Sequence, residues 1–495
     1  MNILDKRASG VLLHISSLPG NTGIGTLGKE ARAFIDWLKK YGQTYWQVLP
    51  VGPTGYGDSP YQSFSTFAGN PYFIDLETLS DEGYLAKSDF EGVDWGNDAR
   101  YVDFGLIYQK RHEIFGKLQA NFEQKIPADY ADFCAENASW LDDYALYMAV
   151  KDAHGGSPFA SWESPIRKKT LAAVKSWSAK CEKRIAYYKM LQYFFFRQWN
   201  SLHDYARENG VKLIGDIPIY VSADSSDVWS CPKQFKLDKD LQSVEVAGCP
   251  PDAFSADGQL WGNPVYNWSY QKKTDFAWWK DRLRHSLKLF DVVRIDHFRG
   301  FESYYCIPFG EATARNGQWR KGPGAALFDS IKASMGELPI IAEDLGYLTK
   351  EVKDLLAHVG FPGMKIVQFA FDSREESDYL PHRYIQNSVV YTGTHDNDTI
   401  EGWKTSANAA DVEYAVKYLR SSMENLRQDM LIAALSSVSN TCISTMQDLI
   451  GLGSEARMNA PSSVGMNWKW RATAEQISAD AGEFLSYYTK LYCRA

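Results

Sequence analysis

A chain of 495 residues is long enough to bury a large core, and its 45% hydrophobic and 23% charged residues are those of a soluble globular protein. A net charge of −8 excludes nucleic acid as the expected partner, and no uninterrupted apolar run reaches the length of a membrane-spanning helix. Seven scattered cysteines (Cys134, Cys181, Cys231, Cys249, Cys306, Cys442 and Cys493) with no CxxC pair exclude a zinc ribbon and fit a reducing, cytosolic compartment rather than a disulfide framework. The opening stretch MNILDKRASGVLLHISSLPG lacks the basic-then-apolar layout of a secretion signal. Aromatic residues make up 14%, enough both for a large aromatic core and for stacking on the C–H faces of sugars.

Taken in chain order, eight short apolar, β-branched runs end in polar or glycine-rich loops. They are GVLLHISSL (10–18), TYWQVLPVG (44–52), KLIGDIPIY (212–220), DVVRIDHF (291–298), ELPIIAEDLG (337–346), MKIVQFAF (364–371), SVVYTGTHDN (388–397) and TCISTMQDL (441–449). Near-continuous apolar runs are the pattern of parallel strands buried on both faces. Helical periodicity separates most of them, at 28–42, 349–360 and 409–437. The expected fold is therefore α/β, a single (β/α)8 TIM barrel over 1–495 with large, mostly helical insertions; a doubly wound sheet is the alternative. One insertion, 53–211, lies between the second and third strands and contains the long helical pattern 183–210. The other, 221–290, lies between the third and fourth and carries PPDAFSADGQLWGNP (250–264), expected to be a loop over the cleft.

GIGTLG (23–28) matches a dinucleotide-binding glycine pattern, but the next strand, ending QVLPVGP, offers no acid for a ribose. The glycines are read as shaping a tight barrel loop.

Carboxylates recur at strand ends: Asp216 after KLIG, Asp296 after DVVRI, Glu343 and Asp344 after PIIA, and Asp396 after YTGTH. In a parallel barrel these ends share one rim, so the acids converge, and such crowding is repaid at a functional site. Without His or Cys clusters of metal-ligand spacing, converging carboxylates suggest glycosidic-bond chemistry needing neither metal nor organic cofactor. Arg294 is two residues before Asp296, on the same side of a strand, where a cation favours and orients a nucleophilic carboxylate. Glu343 follows four apolar residues, whose desolvation suits a general acid/base. Asp344, on the opposite face, is read as an anchor. Asp396 is expected to hold sugar hydroxyls as the ring flattens toward an oxocarbenium ion, and His297 and His395 to hydrogen-bond sugar hydroxyls rather than ligate a metal.

At RIDHFRG (294–300), IAEDLG (341–346) and YTGTHDNDT (391–399) the chain resembles the 4-α-glucanotransferases, the amylomaltases or disproportionating enzymes of glycoside hydrolase family 77. The likeness continues, in order, through 46–72, GDIPIYVSADSSDVW (215–229), 250–268, KGPG (321–324), 363–372 and RMNAPSSVGMNWKWR (457–471). It implies that Asp296 is the nucleophile, Glu343 the acid/base and Asp396 the transition-state stabiliser. It also implies that Tyr61, Asp216, Arg294, His297, His395 and Asn467 line the donor site, with Ser59 assigned to substrate binding beside them. Phe254 and Trp261 would be sugar platforms and Tyr56 a secondary glucan contact. Ala253 departs from relatives that carry an aromatic there. The implied activity is retaining transfer of α-1,4-glucan segments between maltooligosaccharides, amylose or glycogen-type chains, in the cytoplasm or, for a processed plant or algal form, the plastid stroma. An α-amylase-type hydrolase and an idle glucan-binding protein are the rivals.

Overall fold

The computed structural model describes residues 3–55, 57–251, 256–346, 348–461, 463 and 465–495, and its strands, in chain order, are twelve among those residues. They are β1 (Ala8–Leu12), β2 (Tyr45–Gln47), β3 (Lys212–Pro218), β4 (Glu245–Cys249), β5 (Gln259–Pro264), β6 (Val292–Asp296), β7 (Ser303–Pro308), β8 (Gln318–Lys321), β9 (Ile340–Ala342), β10 (Gly363–Ile366), β11 (Ser388–Tyr391) and β12 (Thr441–Thr445). Eight of them form one sheet in the order β10-β11-β12-β1-β2-β3-β6-β9, every neighbouring pair parallel. The Ala342 N–H donates to the Pro362 carbonyl at 3.0 Å, which brings the end of β9 against the start of β10 and rounds the sheet into a barrel. Each barrel strand falls within, or within two residues of, one of the eight apolar runs, because parallel strands sheathed by helices must be apolar on both faces.

The segment between β2 and β3 is helical, with Phe104–Gln124, Ala138–Ala153 and Glu182–Glu208 its longest pieces. Only its outer part is an excursion. Glu182–Glu208 returns to serve as the barrel helix before β3: Trp199 Nε1 donates to the Leu289 carbonyl at 3.0 Å and His203 meets Asp291 at 3.0 Å. Its buried run of Tyr187, Tyr188, Tyr193, Phe194, Phe195, Phe196 and Trp199 places aromatic rings in the core rather than at a sugar-binding surface.

Two expectations change. The stretch 409–437 is two helices, Ala409–Leu419 and Leu426–Ser436, separated where Arg420 turns left-handed at φ 54°; unbroken apolar periodicity concealed that backbone reversal. The segment 250–264 is not all loop, since β5 occupies its end. With β4, β7 and β8 it makes a four-stranded antiparallel sheet, β5-β4-β7-β8, built from the excursions that follow β3 and β6. The glycines of GIGTLG serve packing. A Cβ on Gly25 would lie 1.9 Å from the Ile15 carbonyl oxygen, and Gly23 holds φ +78°.

The face opposite the strands' C-terminal ends is sealed by arginine. Arg494, fully buried, donates all five of its N–H groups to carbonyl oxygens: Nε to Leu435 at 2.6 Å, Nη1 to Ala8 at 3.1 Å and Asn440 at 3.0 Å, and Nη2 to Ser437 at 3.1 Å and Ser439 at 2.9 Å. Arg7 adds bonds to the carbonyls of Tyr492, Ser439 and Leu435. Arg494→Ala removes a donor from five carbonyls, of which Ser439 and Leu435 keep Arg7 and Asn440 keeps the Ala8 N–H, so it is expected to lower unfolding stability by about 2 kcal/mol or more. Chemical denaturation of the variant beside the parent chain measures this, and a change under about 1 kcal/mol would show that water replaces the guanidinium without loss.

Candidate active site

Register places the charged residues. Asp216 on β3 lies opposite Arg294 on β6, and Pro218 opposite Asp296. β6 in turn pairs Ile295 with Ala342 of β9, so Glu343 emerges beside Asp296 at the rim. The backbone continues the ladder one step past the strands: Glu343 N–H donates to the Ile295 carbonyl at 3.0 Å, and Phe298 N–H to the Glu343 carbonyl at 3.0 Å.

Arg294 is buried and forked. Nη1 donates to Asp216 Oδ2 at 2.6 Å, Nη2 to Asp296 Oδ1 at 2.9 Å, and Nε points at Met364 Sδ at 3.3 Å. Burial opposes its charge, but Asp216 and Asp296 outweigh that and hold the guanidinium well above its ordinary pKa. Asp216 has no exposed side-chain surface. Burial pushes its carboxyl above the ordinary range while Arg294 pulls the other way, and the Tyr61 hydroxyl donates to its Oδ2 at 2.8 Å. Tyr61 also stacks on His395, ring centroids 4.9 Å apart.

Glu343 is held through backbone. Its Oε2 accepts from His297 N–H and its Oε1 from Leu345 N–H, both at 2.7 Å. His297 reaches that position in a left-handed turn, φ 54°, a conformation that histidine adopts more readily than most side-chain residues. The two N–H bonds favour the carboxylate, yet desolvation, reinforced by the neighbouring Asp296, dominates and raises the Glu343 pKa from 4.5 to about 7. His297 is lowered by the same desolvation to about 4 and is therefore neutral at pH 7. Its ring meets Trp261 edge-on at 4.8 Å.

A cleft of about 290 Å3 opens at Asp296, while Asp216, Arg294, His297 and Glu343 are not among its lining residues. Ser59, Tyr61, Trp261, Asp296, His395 and Asp396 all line it. Asp396, half-exposed, receives Asn459 Nδ2 on its Oδ1 at 2.6 Å, and Arg457 Nη2 fixes its backbone carbonyl at 2.6 Å. Asp344 faces away and accepts from Met364 N–H at 2.6 Å, tying β9 to β10. Arg299 stands beside the rim with its guanidinium 4.3 Å over the Trp319 ring.

Not every candidate gathers here. Asn467 spends its amide on the turn before it: Oδ1 accepts from Ala460 N–H at 3.0 Å and Nδ2 donates to the Ser463 carbonyl at 2.9 Å. Its neighbour Trp468 lines the cleft instead. Tyr56, Ala253 and Phe254 lie outside the described residues. Sequence reasoning passed over Asn459 and Arg457 as holders of Asp396, although both stand in the quoted block RMNAPSSVGMNWKWR, where an amide and a cation in a loop were a readable signal.

Two carboxyl groups in contrasting environments, one paired with a buried arginine and one desolvated, at the C-terminal mouth of a parallel barrel, define a barrel enzyme of the glycosidic-bond class. Residues 13–476 match glycoside hydrolase family 77, described as 4-alpha-glucanotransferase, and the chain belongs to that family. The 4-alpha-glucanotransferase of Clostridium butyricum is 48% identical over 485 residues, spanning 97% of this chain and 100% of that one. The chloroplastic/amyloplastic 4-alpha-glucanotransferase of Solanum tuberosum is 40% identical over 474 residues, 94% of this chain and 82% of the relative. The solved structure of amylomaltase from Streptococcus agalactiae in complex with acarbose superposes with a TM-score of 0.97 at 44% identity, covering 99% of this chain and 100% of that chain.

The raised Glu343 carboxyl carries a stability consequence. A folded-state pKa above the unfolded value means that the folded chain binds the proton more tightly, so stability present below about pH 4.5 is lost as pH rises through about 7. Glu343→Gln has no charge to bury. Its melting temperature is expected to move in its favour relative to the parent between pH 4.5 and 8; parallel curves across that range would refute the desolvated carboxyl.

Proposed function

We propose that this chain transfers α-1,4-glucan segments between maltooligosaccharides or longer glucans by a retaining double displacement. The observation that carries the reading is the contrast between Asp296, paired with Arg294, and Glu343, held near neutrality by desolvation. Membership of a family described as 4-alpha-glucanotransferase supports it.

In the first half-reaction an Asp296 oxygen attacks the anomeric carbon, the bond to the leaving glucan oxygen breaks, and Glu343 gives that oxygen its proton. The product is a glucosyl ester on Asp296 and an ionised Glu343. In the second half, the 4-hydroxyl of an acceptor glucan loses its proton to Glu343 and attacks the same carbon, and the ester bond to Asp296 breaks. The anomeric configuration is restored and Glu343 is again protonated. Asp396, positioned by Asn459, takes ring hydroxyls more firmly as positive charge develops on the sugar. Tyr61, His395 and Trp468 form an aromatic wall, with Tyr61 and Trp468 5.8 Å apart, and Trp261 lines the same cleft as a sugar platform. Among the described residues no helix is long and apolar enough to cross a membrane. The seven cysteines are free, and unpaired thiols in this number suit a reducing cytoplasmic or stromal setting.

Incubation with maltotriose is expected to give glucose and a ladder of longer maltooligosaccharides at constant reducing-end count. Asp296→Asn should lower that rate by a factor of about 10^4 or more, since a nucleophile's loss removes the covalent route. Because Glu343 must start protonated, kcat/KM should fall as pH rises past about 7. Rising reducing ends with only shorter sugars would make the chain a hydrolase instead, and no change in the sugars would return it to glucan binding.

A further inference from the structure

Glu343 owes its place to the loop that follows it, and that loop is held at two successive peptide groups. The Leu345 N–H donates to Glu343 Oε1 at 2.7 Å, and the next one, the Gly346 N–H, donates to the Tyr379 hydroxyl oxygen at 3.2 Å. Both residues lie just past the ladder bond from the Phe298 N–H to the Glu343 carbonyl, where side chains take over from strand pairing as partners for the backbone. Gly346 turns the chain in a left-handed conformation, φ +84°.

Tyr379 comes from SREESDY (373–379), a stretch outside any helix or strand. Its N–H donates to Ser377 Oγ at 3.1 Å, and the Ser377 hydroxyl donates to the Phe369 carbonyl at 2.9 Å. The Tyr379 ring meets Phe369 edge-on, centroids 5.6 Å apart, and lies 5.3 Å from the Lys365 ammonium. Leu380, next in the chain, is buried in the core. These contacts tie the ring to β10 and the turn after it, so its hydroxyl is a fixed point for the neighbouring loop.

We infer that Tyr379 is a positioning residue for Glu343, the acid/base proposed for the transfer: its hydroxyl holds the Gly346 peptide group, and through it the Leu345 N–H that fixes Glu343 Oε1. The titratable and charged groups around Glu343 are Asp296, Arg294, His297 and Arg299 from β6 and the turn after it, Asp344 beside it, and Lys365 and Tyr379 from β10 and the stretch beyond. Removing one hydroxyl alters none of the charges among them. It loosens the Leu345 N–H bond, which favours the ionised carboxylate, so the Glu343 pKa moves upward while the carboxyl loses its fixed place.

The test compares Tyr379→Phe with the parent chain. It reads kcat and KM on maltotriose from about pH 5 to 9, and kcat/KM on α-maltosyl fluoride, whose fluoride leaves without taking a proton. The expected result on maltotriose is a kcat about tenfold lower at neutral pH, since a displaced acid is a poor one. The alkaline limb should move up by about half a pH unit or more. On the fluoride, kcat/KM should stay within about twofold of the parent, because that step needs no acid. A slower enzyme that stays active to higher pH marks a displaced acid, which partial unfolding does not produce. If the variant melts lower, the limb still decides, because its position does not depend on how much enzyme is folded. Equal losses on both substrates overturn the inference by placing the effect at the donor site or in folding. An unmoved limb, or a variant indistinguishable from its parent, overturns it as well. A parent chain without transfer, or without an alkaline limb, would fail the acid/base role of Glu343 itself, and this inference with it.

Discussion

One guanidinium buried between two acids governs the mouth of the barrel. Arg294 has almost no contact with solvent, and removing a charge from water costs several kcal/mol on the order of the Coulombic gain from its partners. The fork repays that cost because its geometry lets two nitrogens serve two strands, Asp216 on β3 and Asp296 at the end of β6. A lysine would bring the same charge to a single point and leave one carboxylate without its partner. Asp216 is thus the counterweight that keeps Arg294 aligned for Asp296, while the Tyr61 hydroxyl takes part of its remaining capacity.

Glu343 shows the opposite solution with similar chemical material. Its two backbone donors are what a carboxylate at an anion site would receive, yet the surrounding protein and the negative charge of Asp296 win, and the proton stays on near neutral pH. The backbone bonds therefore fix where the carboxyl sits more than what charge it carries. Fixing both oxygens prevents the side chain from swinging toward Arg294, which would collapse the difference between the two acids. Asp396 is different again: half in solvent, placed by Asn459 and Arg457 from a loop near residue 458, it is the member of the trio whose position depends on a segment far from the barrel core.

The barrel and the gathering of strand-end acids at its mouth were legible because they obey strong, local rules. Buried parallel strands leave near-continuous apolar runs, and a charge at the end of such a run, as at Asp216, Asp296 or Glu343, has no packing reason to be there. The pairing of Arg294 with Asp296 followed from a spacing of two on a strand. What escaped notice depends on side chains meeting across loops. The antiparallel sheet of β4, β5, β7 and β8 arises from strands of modest hydrophobicity, one of them, Gln318–Lys321, exposed throughout, and its partners come from excursions after different barrel strands. The role of Asn459 and the turn-bracing of Asn467 rest on hydrogen bonds within one loop whose path no periodicity reveals. Arg420 ended a helix that apolar spacing would have continued, because a left-handed residue without glycine carries no sequence mark.

The arginine seal beneath the barrel has a consequence for how the fold is reached during synthesis. Arg494 meets the Ala8 carbonyl across a sequence separation of 486 residues, and β1 finds one of its two neighbours only when β12 exists. While the ribosome is making the intervening chain, β1 can pair with β2 but presents its other edge unpaired, with apolar side chains on both faces. An open strand edge flanked by apolar side chains is the feature that recruits foreign strands. The same contact that locks the finished molecule thus commits the nascent one to a long interval with a sticky first strand, and it makes the helical excursion between β2 and β3, rich in local contacts, the part able to consolidate while the ring remains open.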